Sequence, residues 1–132
     1  MPIHDIIRGL GKSGWEYSAT ILGEPASKAN SRKIVRFGNR PASIKSETAR
    51  NYEKLFRAQA KVINPLIDTD VLVFIEIFYK TRRPDLDESL ILDLLQGCAY
   101  ENDRQVKSKI ILHNLDKDRP RSVIRVRRFI KQ

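Results

Sequence analysis

Residues 71–79 (VLVFIEIFY) are apolar at nearly every position and rich in β-branched and aromatic side chains. Such a run predicts a strand covered on both faces, at the centre of a sheet. Residues 15–22 (WEYSATIL) alternate well enough for a first strand. Gly23, Glu24 and Pro25 end it, because proline removes a ladder donor and glycine tolerates a bend. Residues 34–37 and 40–44 flank a Gly38-Asn39 pair that suits a two-residue hairpin turn. Pro41 confines the second arm to an edge position. Residues 106–112 and 122–130 read as two further strands, joined by a charged turn over 114–121.

Two stretches switch from strand to helical periodicity. Ser46 is a good N-cap for a helix reaching about Ile63, with Tyr52, Leu55, Phe56 and Ile63 on one face and Ala60 between them. Arg50, Lys54, Arg57 and Lys61 form a stripe on the opposite face, which either tracks a phosphate backbone or is the solvated side of an amphipathic helix. Asn64-Pro65 closes this segment, since the residue before proline avoids the helical region. Leu90, Ile91, Leu94 and Leu95 predict a second helix from about Asp87 to Gln96, with Gly97 at the position just past its end. Leu86 and Leu92 widen its apolar face beyond what one sheet covers, leaving open whether a partner subunit or the monomer's own core takes the remainder. The predicted order is a first strand, a β-hairpin, α, β, α, β, β. That is a single α/β (α+β) domain with a mixed β-sheet and two helices, over residues 15–132. Residues 1–14 form an N-terminal extension with one small apolar cluster, Ile6, Ile7 and Leu10.

Charge narrows the function classes. The chain of 132 residues carries a formal net charge of +9, which favours a polyanionic partner. Lys28, Arg32, Lys33, Arg36, Arg40 and Lys45 crowd the hairpin and its approach, as a phosphate-contacting arm or as charges that protect a solvated edge. No apolar run approaches the ~20 residues of a membrane span, and the first residues lack the apolar centre of a signal peptide, so a cytoplasmic location is expected. One cysteine, Cys98, excludes an intrachain disulfide and reads as a small buried residue.

Against this basic background, residues 82–90 (RRPDLDESL) stand out: three acids in four positions. In an extended segment Asp85 and Asp87 point the same way, with Cα atoms roughly 6–7 Å apart. Two carboxylates so placed can share a hard cation. Mg²⁺, with Mn²⁺ as a substitute, takes oxygen ligands from one or two carboxylates, waters and substrate phosphates. Bound there, such an ion polarises a phosphodiester. Asp103, in a second turn just before a strand, is the best third carboxylate. The competing account is ordinary capping chemistry at a helix start, with Arg82 and Arg83 as salt-bridge partners.

The sequence RRPDLD, the helix after it, and Asn102-Asp103-Arg104-Gln105-Val106 together resemble the RusA family of Holliday junction resolvases, in which D-x-D, a helix and D-x-Q-V follow in this order. Gly23-Glu24-Pro25 with Lys28 and Arg32 is similar to the family's segment after its first strand. The resemblance spans nearly the whole chain. It implies a homodimeric, Mg²⁺-dependent endonuclease that resolves four-way DNA junctions by paired nicks. The catalytic, metal-holding aspartates would be Asp85, Asp87 and Asp103. Lys28, Arg32, Lys33, Arg36, Arg82, Arg83 and Lys107 are the expected DNA contacts. Two positions depart from the pattern. Glu88 stands where members often carry Asn, and Ile91 where many carry a catalytic Lys. Either Lys80, Arg83, Lys107 or Lys109 substitutes for the missing cation, or activity is reduced or specialised. The alternatives are a non-catalytic basic DNA-binding module on the same fold, and an interaction protein that docks a partner on its wide apolar helix.

Overall fold

A computed structural model describes residues 14–81 and 86–129. The elements follow the predicted order: β1 (Tyr17–Leu22), β2 (Arg32–Phe37), β3 (Arg40–Lys45), α1 (Glu47–Gln59), β4 (Val71–Tyr79), α2 (Glu88–Leu94), β5 (Val106–Leu115) and β6 (Arg121–Arg128). Four strands form one sheet in the order β1-β6-β4-β5. β4 runs parallel to β5 and antiparallel to β6, and β1 is antiparallel to β6. The parallel β4–β5 pair needs a crossover, and the segment carrying α2 supplies it. The result is a single α+β domain with a mixed sheet and two helices.

β4 is the centre that its composition predicts. Its residues are buried on both faces of the sheet, Phe78 alone being half-buried. The larger core gathers Tyr17, Ile21, Val73, Ile75, Ile77, Ile124 and Val126 of the sheet against Tyr52 and Phe56 of α1 and Leu90, Ile91 and Leu94 of α2. A smaller cluster, Trp15, Leu72 and Phe74, packs on the opposite face with Ile110, Leu112 and Phe129.

Several expectations shift at the edges. The hairpin does not join the main sheet: β2 and β3 form a separate two-stranded sheet. α1 stops at Gln59 rather than near Ile63, because Ala60 turns extended (ψ 134°). Beyond it Ile63 N–H donates to the Cys98 carbonyl (3.0 Å) and Ile67 N–H to that of Ala99 (2.9 Å). Tertiary pairing there outcompetes the last helical turn. The buried stripe of α1 is Ala49, Tyr52 and Phe56, whereas Leu55 is 47% exposed. β5 extends to Leu115 because β4 offers it a partner as far as Tyr79. Leu90, Ile91, Leu92 and Leu94 of α2 and the adjoining Leu95 are all buried within this one chain, so the monomer's own core covers that wide face. Cys98 is buried too, and burial pushes its thiol pKa up against a lowering influence of Arg57. Among the described residues, no helix is long and apolar enough to cross a membrane.

Candidate active site

Asp87 caps α2. Its backbone N–H donates to the Ala26 carbonyl (2.9 Å), and Leu86 makes a β-bridge to Ser27. Glu24, in the same loop, accepts the Lys80 N–H through Oε2 at 2.7 Å. The loop after β1 therefore grips both the end of β4 and the start of α2. Asp87 Oδ1 accepts the Ser89 N–H at 3.1 Å and also the Ser89 hydroxyl. This is N-cap chemistry, and it fixes the carboxylate's orientation. Asp87 is 9% exposed. Burial pushes its carboxyl pKa up, but hydrogen bonds from Ser89, from Ser31 and from the N–H groups of Ser89 and Leu90 outweigh it and hold the pKa below the ordinary value. Ser31 has one hydroxyl proton, and its 2.8 Å bond to the Ser27 carbonyl claims it. The Ser89 donors thus carry most of the effect, and Asp87 is ionised at neutral pH.

Asp103 opens a short 3-10 turn, Asp103–Gln105, just before β5. Asn102 caps it by accepting the Arg104 N–H (2.9 Å). Gln105 reaches back, its Oε1 accepting the N–H groups of Glu101 and Asn102, both at 3.0 Å. Its Nε2 donates to the carbonyls of Ile67 and Thr69, both at 2.8 Å. One glutamine thereby closes the turn and ties it to the segment entering β4. Gln96, two residues past α2, accepts the Asp103 N–H (3.0 Å) and donates to the Asp93 carboxylate (2.9 Å). The turn bearing Asp103 is in this way referenced to the helix that Asp87 caps.

These supports bring the two aspartates to one cleft. A cavity of about 280 Å³ is lined by Ser31, Arg32, Lys45, Asp87, Ser89, Leu90, Asp93 and Asp103. A second of about 320 Å³ shares Ser89 and Asp103 and is lined also by Leu92, Val106, Lys107, Ser108 and Lys109. Asp87, Asp93 and Asp103 thus share a cavity with Arg32 and Lys45 of the hairpin, and Asp103 also borders the cavity lined by Lys107 and Lys109 of β5. Lys45 bridges Glu53 (2.9 Å) and Asp93 (3.5 Å), and its hydrogen bond lowers the Glu53 pKa.

The family model for endodeoxyribonuclease RusA matches residues 23–127, most of the chain. The chain belongs to the RusA endodeoxyribonuclease family. The match begins at Gly23, in the loop after β1, and runs into β6. No curated protein matches the chain.

The aspartates expected from this nuclease family's pattern fall as follows. Asp87 and Asp103 line one cleft. Asp85, Arg82 and Arg83 lie outside the described residues. Of the other expected contacts, Arg32 and Lys107 line the cavities. Lys28 is exposed and 3.6 Å from Glu88. Lys33 and Arg36 are exposed on β2. Glu88 opens the first turn of α2 and pairs with Lys28; it is absent from the cavity lining. Ile91 is fully buried in the core, so that position does not face the cleft.

Sequence reasoning placed Lys45 only in the basic hairpin and overlooked Ser31, Ser89 and Asp93. Ser89 and Asp93 could have been found, since a four-residue spacing puts them on the same helix face. Among the described residues, no group of three or more His, Cys, Asp or Glu gathers closely enough to hold a metal ion. The donor chemistry that is present, carboxylate oxygens with hydroxyls beside them, suits a hard cation rather than a soft one.

Proposed function

We propose that the chain is a metal-dependent, structure-selective endonuclease that resolves four-way DNA junctions by paired nicks, acting as a homodimer in DNA recombination and repair. The observation that carries this reading is the shared cleft: Asp87 and Asp103, from separate elements, lie with Arg32 and Lys45 around one cavity. Asp87 and Asp103, with Asp85 two residues upstream of Asp87 in the sequence, would hold Mg²⁺ or Mn²⁺. That ion, when bound, supplies Lewis-acid polarisation of the phosphodiester.

The chain's own residues have separable tasks. The Ser89 donors hold the Asp87 carboxylate in place and ionised. Gln105 and Gln96 set the position of Asp103. Arg32 and Lys45 approach from one side, Lys107 and Lys109 from the other, and together they attract the scissile strand. Lys45 exchanges its carboxylate partners for phosphate oxygens as DNA enters. Lys28, Lys33 and Arg36, exposed on the loop and β2, extend the phosphate-contacting surface. Such contacts position a backbone without reading bases, which suits recognition of branched shape. Two-fold symmetry would present two identical clefts for two matched cuts.

The test is nicking of a synthetic four-way junction in Mg²⁺ or Mn²⁺, with wild type, Asp87→Asn and Asp103→Asn. Asn caps a helix about as well as Asp, so Asp87→Asn should fold. It should bind junctions and lose cleavage by about 10²-fold or more, the scale of several kcal/mol of lost charge stabilisation. Cleavage at the wild-type rate by Asp87→Asn would overturn the assignment. Junction binding by wild type without nicking in either metal would instead identify a non-catalytic DNA-binding module.

A further inference from the structure

The β2–β3 hairpin carries two large apolar side chains that serve no core. Ile34 is 76% exposed and Phe37 is 67% exposed. The hairpin is a two-stranded sheet of its own, and isolated two-stranded hairpins gain little from their own side chains. Phe37 sits at the tip, paired with Arg40 across the Gly38-Asn39 turn, where Gly38 takes φ +65°. Arg36 precedes it.

Charge says what kind of surface this tip can meet. From residue 25 to residue 46 every charged side chain is cationic. Two such hairpins would repel each other, whereas a polyanion complements them. The base of the hairpin already belongs to the cleft: Arg32 and Lys45 form its first cross-strand pair and line the cavity with Asp87 and Asp103. Five strand steps lead from Arg32 to Phe37, a reach of roughly 17 Å at strand rise. A DNA strand held at the hairpin base therefore places the tip within the same nucleic acid, a few base steps away.

We infer that Phe37 is a base-stacking wedge that engages the branch point of the DNA, with Arg36 and Arg40 on the flanking phosphates. This inference rests on the nuclease reading and deepens it, because it names the part of the substrate that confers shape selectivity. In a continuous duplex every base face is covered by its neighbours. At a branch point the stack is interrupted, and an aromatic ring can cover an exposed base face or insert between steps. The stacking is sequence-tolerant, since every base has a π-face. The hairpin then holds the branch at a set distance from the carboxylates.

The experiment measures binding without cutting, in EDTA, on a four-way junction and on a duplex of the same sequence, with 2-aminopurine at the branch point. Phe37→Ala should lose about tenfold or more in junction affinity, the scale of one lost stack, with duplex affinity and salt slope unchanged. The 2-aminopurine signal seen on binding wild type should vanish. Phe37→Trp should retain both. Arg36→Ala should weaken junction and duplex alike and flatten the salt dependence. Equal junction affinity for Phe37→Ala and wild type would overturn the inference. So would sedimentation showing that Phe37→Ala alone breaks up an oligomer, since Phe37 would then be a protein contact. If wild type neither prefers nor cuts junctions, the nuclease reading itself fails. If it cuts them and Phe37→Ala binds them as tightly, only the wedge fails.

Discussion

Gln105 is where the fold and the candidate site can be separated most cleanly. Its side chain makes four hydrogen bonds, two accepted from Glu101 and Asn102 N–H groups and two donated to the Ile67 and Thr69 carbonyls. Those to Asn102 and Ile67 are partly buried, and those to Glu101 and Thr69 are exposed. Water replaces the exposed pair on truncation. The partly buried pair contributes about 1 kcal/mol each. Gln105→Ala should therefore cost about 2 kcal/mol, a fall in Tm of roughly 6–10 °C for a domain of this size. Gln105→Glu keeps the acceptor but turns a carboxylate towards two carbonyls, so it should cost at least as much. The assay pairs thermal unfolding, followed by circular dichroism, with junction nicking across a Mg²⁺ titration. With the Asp103 turn released from the β4 entry, nicking should need more Mg²⁺ while junction binding in EDTA stays unchanged. Unfolding within about 1 °C of wild type, together with an unaltered Mg²⁺ titration, would refute the claim that Gln105 holds Asp103 in place.

Two further outcomes follow from burial and charge. Ile91→Lys, which restores a lysine where many family members are expected to carry one, should not raise nicking: the position is fully buried. An ammonium there should destabilise the domain by about 3–5 kcal/mol, measured by urea unfolding, and improved nicking at wild-type stability would contradict the packing. Asp87 makes stability depend on acid. Its folded pKa lies below the ordinary value, so its contribution is fully present above about pH 4, the unfolded pKa, and is lost as pH falls through the folded pKa. Wild type should accordingly lose more stability between about pH 4 and pH 2 than Asp87→Asn, and parallel pH profiles of the two would show that the carboxylate is not held ionised by its donors.

Much of this fold was legible because local pattern and tertiary environment agree. The unbroken apolar run of β4 has one stable home, between covered faces, and the periodicity of residues 90–95 has one helical reading. Gly38-Asn39 and Ser46 specify a turn and a cap through chemistry that needs no distant partner. Element ends were less legible, because they depend on what lies opposite. α1 ends early since Ile63 and Ile67 find backbone partners after α2, and β5 runs long since β4 offers it a ladder as far as Tyr79. Neither partner is near in sequence.

The candidate site divides along the same line. The acidic character of Asp87 and Asp103, and the likeness to a nuclease family, are properties of short motifs and are present in the sequence. That these two aspartates share a cleft is not, because the link passes through Gln96, Gln105 and the loop at Glu24 and Ala26, each a contact between separate elements. The same holds for the cations. Net charge favours a polyanionic partner, but only the folded hairpin brings Arg32 and Lys45 to the carboxylates and leaves Phe37 exposed at its tip. Ile91 shows the reverse case: a motif position that reads as a missing lysine in sequence is, in three dimensions, part of the core. Sequence sets which groups are available and which local structures they prefer. Packing decides which of them meet, since a side chain's neighbours are fixed by how the sheet and helices bury their apolar faces.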